Sequence, residues 1–199
     1  MSEAAGDPGI GLDDTVDALL QAMVVWDEKN YHHCQRTAAY AVQIAETLGI
    51  EGEAAEQIRI GALLHDIGKI GIDLAVLRKP ERLDADEAER VRLHPEMGAA
   101  ILARVLPPAV VTCAAAHHEQ PDGHGYPLGL TEAQIPLEAM ICRVADVLDA
   151  LMTEQPYRPA MTLGAALDEL RAGAGTRYGA AVVAALLSAI EREGLREAA

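Results

Sequence analysis

The chain has 199 residues, half of them apolar and 24% charged, with a formal net charge of −15. This is the composition of a folded domain with an ordinary core and excludes a disordered chain. So acidic a protein is also a poor partner for DNA or RNA polymers, and an anionic ligand would need a local cationic site to overcome the overall field.

Taken in order, residues 1–11 hold Gly, Pro and small polar side chains and read as a loose leader. A first helix is predicted over Leu12–Glu28, with Val16, Leu19, Leu20 and Met23 on one side, suited to packing on the chain's own domain. The rest, 29–199, reads as one domain. Ala38, Ala41, Val42, Ala45 and Leu48 recur at helical spacing, and Gly49 ends that helix. Ile58, Ala62 and His65 share a face. Further helices are predicted over 108–118 and 139–153, and Val182, Val183, Leu186, Leu187 and Ile190 mark the last. Breaks fall near 49–52, 68–73, 79–84, 106–108, 121–130, 156–160 and 173–179. No stretch alternates as a strand does. The fold class expected is all-α, a compact bundle of about seven or more helices. With phenylalanine absent, the core must be built from Ala, Leu, Val and Ile.

Cys34, Cys113 and Cys142 are widely spaced and form no CxxC pair, so reduced thiols are expected. The start lacks a basic and apolar leader, and the apolar stretch 180–190 is too short to span a bilayer. A cytoplasmic protein without membrane insertion is expected.

The chemistry lies in the histidines. There are seven: His32, His33, His65, His94, His117, His118 and His124. Any one alone reads best as a solvated or satisfied core residue. Their neighbours change that reading. "LLHDIGK" (63–69) sets His65 beside Asp66 just after an apolar run, where an unpaired carboxylate is costly. Lys69 would share their side if the helix continued; the plainer reading is a helix end at Gly68, with Lys69 offsetting the dipole. His94 precedes Pro95, as at a helix start. His117 and His118 close the helix 108–118. Asp146 and Asp149 are three apart in an apolar helix, where the plainer reading is a stripe facing water. Several imidazoles and a carboxylate inside apolar helices exceed one tetrahedral zinc site and suit two first-row transition metals.

The segments "HHCQRT" (32–37), "LLHDIGKIGI" (63–72), "VLRKPERLDADEAE" (76–89), "HPEMGAAIL" (94–102), "HHEQPDGHGYP" (117–127), "ADVLDALMTEQPYRPA" (145–160) and "RAGAGTRYGAAVV" (171–183) resemble, in order and spacing, the HD-GYP domains of the HD metal-dependent phosphohydrolases. The resemblance spans about residues 30–185. It implies an all-helical bundle of the HD-domain type and hydrolysis of cyclic di-GMP, with either linear pGpG or GMP as the end product. It implies a first metal held by His33, His65, Asp66 and Asp146, and Asp66 bridging to a second metal held by His94, His117 and His118. Two divalent transition metal ions follow, iron or manganese favoured, with zinc, nickel and cobalt also suited. Asp66 and Lys69 would be catalytic, and Lys69, Tyr126 and Arg158 would contact substrate. The loop of Asp122, Gly123, Gly125, Tyr126 and Pro127 would carry Tyr126 over the ligand. The family also implies docking to diguanylate cyclase (GGDEF) domains. The chain itself is expected to be a monomer or a homodimer.

Two positions depart from the family pattern. Lys29 stands where some members have a glutamate that binds a third metal, and an ammonium has no lone pair to donate. Two metals are therefore expected, with Asp27 or Glu28 the only nearby replacements. Gln155 stands where the family usually has arginine, which removes one phosphate-binding cation. These departures keep open a second class, a catalytically weak module that binds cyclic di-GMP or another signalling protein. A third reading is an HD phosphohydrolase acting on another nucleotide. The family usually places a receiver or sensor domain before this one, so the chain is read as a stand-alone protein or a piece of a longer one.

Overall fold

A computed structural model describes residues 11–154 and 158–195. α1 (Leu12–Thr47) is broken at Asp27, whose backbone leaves the helical region (φ −156°, ψ 95°). The break falls one residue before the predicted end of the first helix. Val16 and Met23 are buried, and Leu19 and Leu20 pack against the same core, so the N-terminal arm rests on its own domain. Gly49, with φ 77°, supplies the left-handed residue that ends α1.

α2 (Gly52–Leu64) follows, then a 3₁₀ turn (Ile67–Gly71), α3 (Leu74–Leu77) and α4 (Ala85–Arg92). α4 begins in a capping box: Asp84 accepts from the Glu87 amide, and the Glu87 carboxylate accepts from the Asp84 amide. α5 (His94–Leu102) and α6 (Pro108–Ala116) each start with a proline in the first turn, where its missing N–H costs nothing. α7 (Leu137–Met152), α8 (Leu163–Ala172) and α9 (Ala180–Glu193) complete the described elements. Isolated bridges pair Asp122 with Thr131 and Ala174 with Tyr178, and among the described residues no strand forms. The fold is all-α.

The C-terminal half of α1 lies against α2, α7 and α9, and α2 lies against α6 and α7. Ala38, Ala41, Ala45, Ala62, Ala114 and Ala145 line these contacts, and small side chains let the helices approach closely. Leu64, Leu148, Leu170 and Leu186 are fully buried among them; each adds about 2 kcal/mol of transfer free energy. Cys34, Cys113 and Cys142 are free and buried, and Cys34 is a packing residue. No described helix is long and apolar enough to cross a membrane.

One close approach sets up the site. A Cβ on Gly68 would meet the His94 carbonyl oxygen at 2.0 Å and the Gly98 amide nitrogen at 2.5 Å. The start of α5 thus presses directly on the 3₁₀ turn, with no room for a side chain between them. That contact brings His94 up to Asp66.

Candidate metal centre

α2 does not continue through Lys69. It ends at Leu64, and the chain tightens into the 3₁₀ turn. Lys69 still meets Asp66, because three residues make one turn of a 3₁₀ helix; its Nζ donates to Asp66 Oδ2. The helix expected over 108–118 likewise ends early, at Ala116. His117 and His118 therefore lie where the chain turns off α6. This lets adjacent residues face one cavity, which a continuing helix would hinder. Arg143 Nη1 donates to the His117 carbonyl at 3.3 Å and holds the turn.

Asp66, 2% exposed, sits at the centre. Its two oxygens divide the histidines between them. Oδ1 is 3.3 Å from His94 Nε2 and 3.9 Å from His117 Nε2. Oδ2 is 3.6 Å from His65 Nε2 and 3.9 Å from His33 Nε2. Asp146 Oδ1 closes the first side, 3.1 Å from His33 Nε2 and 3.8 Å from His65 Nε2. Two sets of donor atoms result, His33–His65–Asp66 and His94–His117–His118, each with its atoms within 4.8 Å of one another.

Backbone carbonyls fix the tautomers. His65 Nδ1 donates to the Ala62 carbonyl at 2.7 Å, and His94 Nδ1 to the Val91 carbonyl at 2.7 Å. His117 Nδ1 donates to the Cys113 and Ala114 carbonyls, both at 3.0 Å. A carbonyl only accepts, so the proton of each neutral ring lies on Nδ1 and the lone pair on Nε2. His94 Nε2 and His117 Nε2 then face each other at 3.1 Å, lone pair to lone pair. His65 Nε2 is buried with no hydrogen-bond partner. Orphaned, converging imidazole lone pairs beside a buried carboxylate are what a divalent cation satisfies, so these residues fit a metal pair.

The charges follow the same division. Burial pushes His94, His117 and His118 down, His118 to about 3, and keeps these rings neutral. Burial also disfavours a charge on His33, but Asp146 and Asp149 outweigh it and raise that ring to about 9. Burial would raise the Asp66 carboxyl; Lys69 and the surrounding imidazoles override it and hold the group well below the usual carboxylate range.

Asp149, read from sequence as facing water, is 1% exposed. It accepts from His33 Nδ1 at 2.7 Å and from Arg36 Nε and Nη2 at 2.6 and 2.9 Å. A carboxylate behind an imidazole fixes the ring and increases its basicity. Asp149 and Arg36 thus position His33, a role that sequence reasoning gave to neither. Arg158 donates to the Ala150 and Leu151 carbonyls at 2.6 and 3.0 Å and closes the end of α7. Gln155 lies outside the described residues. His32 and His124 are exposed, away from the cluster. Lys29 is exposed, and Asp27 pairs with Arg78 at 3.1 Å.

The loop after His118 is held by a buried glutamate that sequence reasoning also missed. Glu119, 1% exposed, accepts from the Leu128 and Leu130 amides at 2.7 and 2.8 Å. Asp122 accepts from the His124 amide at 3.0 Å, and Gly123 takes φ 78°. Gly125 serves a close approach of two backbone segments. Its φ is not positive; instead a Cβ there would lie 2.3 Å from the Gln120 nitrogen and 2.5 Å from Glu119 Cα. Tyr126, followed by Pro127, is thereby laid flat on His118, ring centroids 4.6 Å apart and planes 17° from parallel. The Arg92 guanidinium lies over the Tyr126 ring, 5.0 Å from its centroid.

A family model described as HD domain matches residues 19–182. The chain is 39% identical over 178 residues to the cyclic di-GMP phosphodiesterase response regulator RpfG of Xanthomonas campestris pv. campestris, covering 87% of this chain and 47% of that protein. It is 42% identical over 136 residues to the 3′3′-cGAMP-specific phosphodiesterase 3 of Vibrio cholerae, covering 68% and 30%. The chain thus spans about half or less of the length of these relatives. Among solved structures, Bd1817, an HD-GYP-type protein of Bdellovibrio bacteriovorus, superposes with a TM-score of 0.68 at 20% identity, covering 90% of this chain and 61% of that one. That likeness concerns the fold. The chain belongs to the HD domain family and carries, in Gly125-Tyr126-Pro127, the triplet of its HD-GYP branch.

Proposed function

We propose that the chain is a metal-dependent phosphodiesterase that opens cyclic di-GMP to pGpG and cuts on to GMP. The observation that carries this reading is the division of Asp66: one oxygen faces His94 and His117, the other His33 and His65, and the Nε2 atoms of His94 and His117 turn lone pairs toward each other. Two divalent transition metal ions, iron or manganese by the family resemblance, would be held by His33, His65, Asp66 and Asp146 on one side and by Asp66, His94, His117 and His118 on the other. When bound, such ions supply Lewis acidity toward a phosphoryl oxygen and a water of lowered pKa.

The chain's own groups do the rest. Lys69 stays cationic against Asp66, which raises its pKa despite burial, and offers its remaining N–H groups to the scissile phosphate. Tyr126 covers His118 and keeps bulk water from that side. Burial lifts its phenol to about 12, so it acts as a neutral donor. Asp149 and Arg36 keep the His33 ring aimed at Asp66 and Asp146.

A second substrate, 3′3′-cGAMP, is favoured by one specific observation, the 42% identity to a protein named for it. The test is anaerobic purification, metal analysis, reloading with Fe(II) or Mn(II), and assay of both cyclic dinucleotides by chromatography. Metal-dependent pGpG and GMP, absent in Asp66→Ala, support the reading. Cleavage of 3′3′-cGAMP alone redirects it to that substrate. No cleavage of either by a chain with both metals bound overturns it.

A further inference from the structure

The cations bordering the site are nearly all engaged. Lys69 is held by Asp66 and Arg36 by Asp149. Arg143 donates to the carbonyls of His117 and Arg177, and Arg158 to those at the end of α7. Arg92 differs. It is the last residue of α4, its side chain is exposed, and its guanidinium lies over the Tyr126 ring. Among the described residues no hydrogen bond or ion pair uses its N–H groups, so a planar fork of donors stands open.

Its place is specific. The Tyr126 ring stacks on His118, and the Arg92 guanidinium lies over that same ring, 5.0 Å from its centroid. Arg92 is thus joined to the site through Tyr126 and not through a metal-ligating side chain. A ligand with one phosphodiester offers Arg92 nothing. A cyclic dinucleotide carries a second phosphodiester on the far side of its ring. In a chain of net charge −15, that second anion needs a cation of its own. Arginine suits it, because the fork meets two phosphate oxygens at once while its face rests on an aromatic ring.

Resting on the reading above, we infer that Arg92 binds the phosphate of the cyclic dinucleotide that is not being cleaved, and so favours two-phosphate ligands over simple diesters. An arginine also suits the C-terminus of α4 electrostatically, so the test must separate binding from structure. Equilibrium binding and steady-state cleavage of cyclic di-GMP are measured for the metal-loaded full chain, Arg92→Ala and Arg92→Lys, beside cleavage of bis(p-nitrophenyl) phosphate, which has one phosphate.

For Arg92→Ala, affinity for cyclic di-GMP falls and KM rises by about tenfold or more, the loss typical of one charge-assisted contact. Its kinetics on bis(p-nitrophenyl) phosphate stay unchanged, and Arg92→Lys falls between. Equal losses on both substrates, or none on either, overturn the assignment while cyclic di-GMP cleavage by the parent chain stands. A parent chain that neither binds nor cleaves cyclic di-GMP overturns the proposed function and this assignment together.

Discussion

Asp149 Oδ2 lies 2.7 Å behind His33 Nδ1, so this imidazole is oriented by a carboxylate, while His65, His94 and His117 are oriented by backbone carbonyls. The difference is one of charge. A carbonyl sets the tautomer, whereas a carboxylate also enriches the ring electronically and can be replaced by mutation. Asp149→Asn keeps the shape and removes the charge. Metal affinity of the His33 side is expected to fall about 10–100-fold. Metal content per chain, titrated against a competing chelator, checks this; an unchanged value would make Asp149 purely structural.

Removing the metals exposes another property. The metal-free chain buries lone pairs that face one another, and binding adds stability that grows with the logarithm of ligand excess, about 2.7 kcal/mol at a hundredfold excess over Kd. Chelation is therefore expected to lower Tm, and readdition of Mn(II) to restore it. Calorimetry with and without chelator measures the change.

The metal-free chain should also have its greatest stability near neutral pH. His33 is raised to about 9, so its stabilising share is complete below the ordinary histidine value of 6.5 and is lost as pH rises toward 9. His118 is depressed to about 3, so its share is complete above 6.5 and is lost as pH falls toward 3. The two slopes meet near 6.5. A Tm series of chelated protein between pH 5 and 9 should rise and then fall; a monotonic series would contradict it.

Glu119→Ala is expected to free the loop that carries Tyr126. The two amides of Leu128 and Leu130 lose a buried charged acceptor, a change of about 3 kcal/mol or more. The chain keeps its helices by circular dichroism, and protease nicking within 120–130 increases. Glu119→Gln, which retains one acceptor, should nick less.

Gly125→Ala tests close approach rather than dihedral freedom. The new Cβ would press on the backbone of Glu119 and Gln120, which no side-chain rotation relieves. Tyr126 must then lift from His118. Loss of cyclic di-GMP turnover with Tm reduced by only a few degrees is the expected pair of readings.

The helical class and the histidines and carboxylates that the fold gathers into one cluster were legible because both are written locally. Apolar spacing repeats within a helix, and each histidine sits in a short motif with its own neighbours. What stayed hidden was written across distance. Asp149 and His33 are 116 positions apart, and periodicity alone placed Asp149 on a wet stripe of α7. Helix ends misled for a related reason. The apolar pattern runs on through His118, but the turn at Ala116 is set by Arg143 reaching over from another helix. Glu119 left a faint signal, an acid directly after two histidines in a loop short of amide partners. The role of Gly125 stayed hidden too, since close backbone approach has no signature in one sequence.

The four carbonyls behind His65, His94 and His117 also bear on how fast this centre fills. A histidine free to exchange its proton between ring nitrogens must find the right form before it can coordinate, and many ring sites must rotate as well. Here both choices were made when the helices formed. An arriving ion meets ligands already aimed, so the slow step of uptake passes from the protein to the ion, which must shed its own water shell. Loading rates should then rank with the water-exchange rates of the metals offered, fast for manganese and iron and slow for nickel.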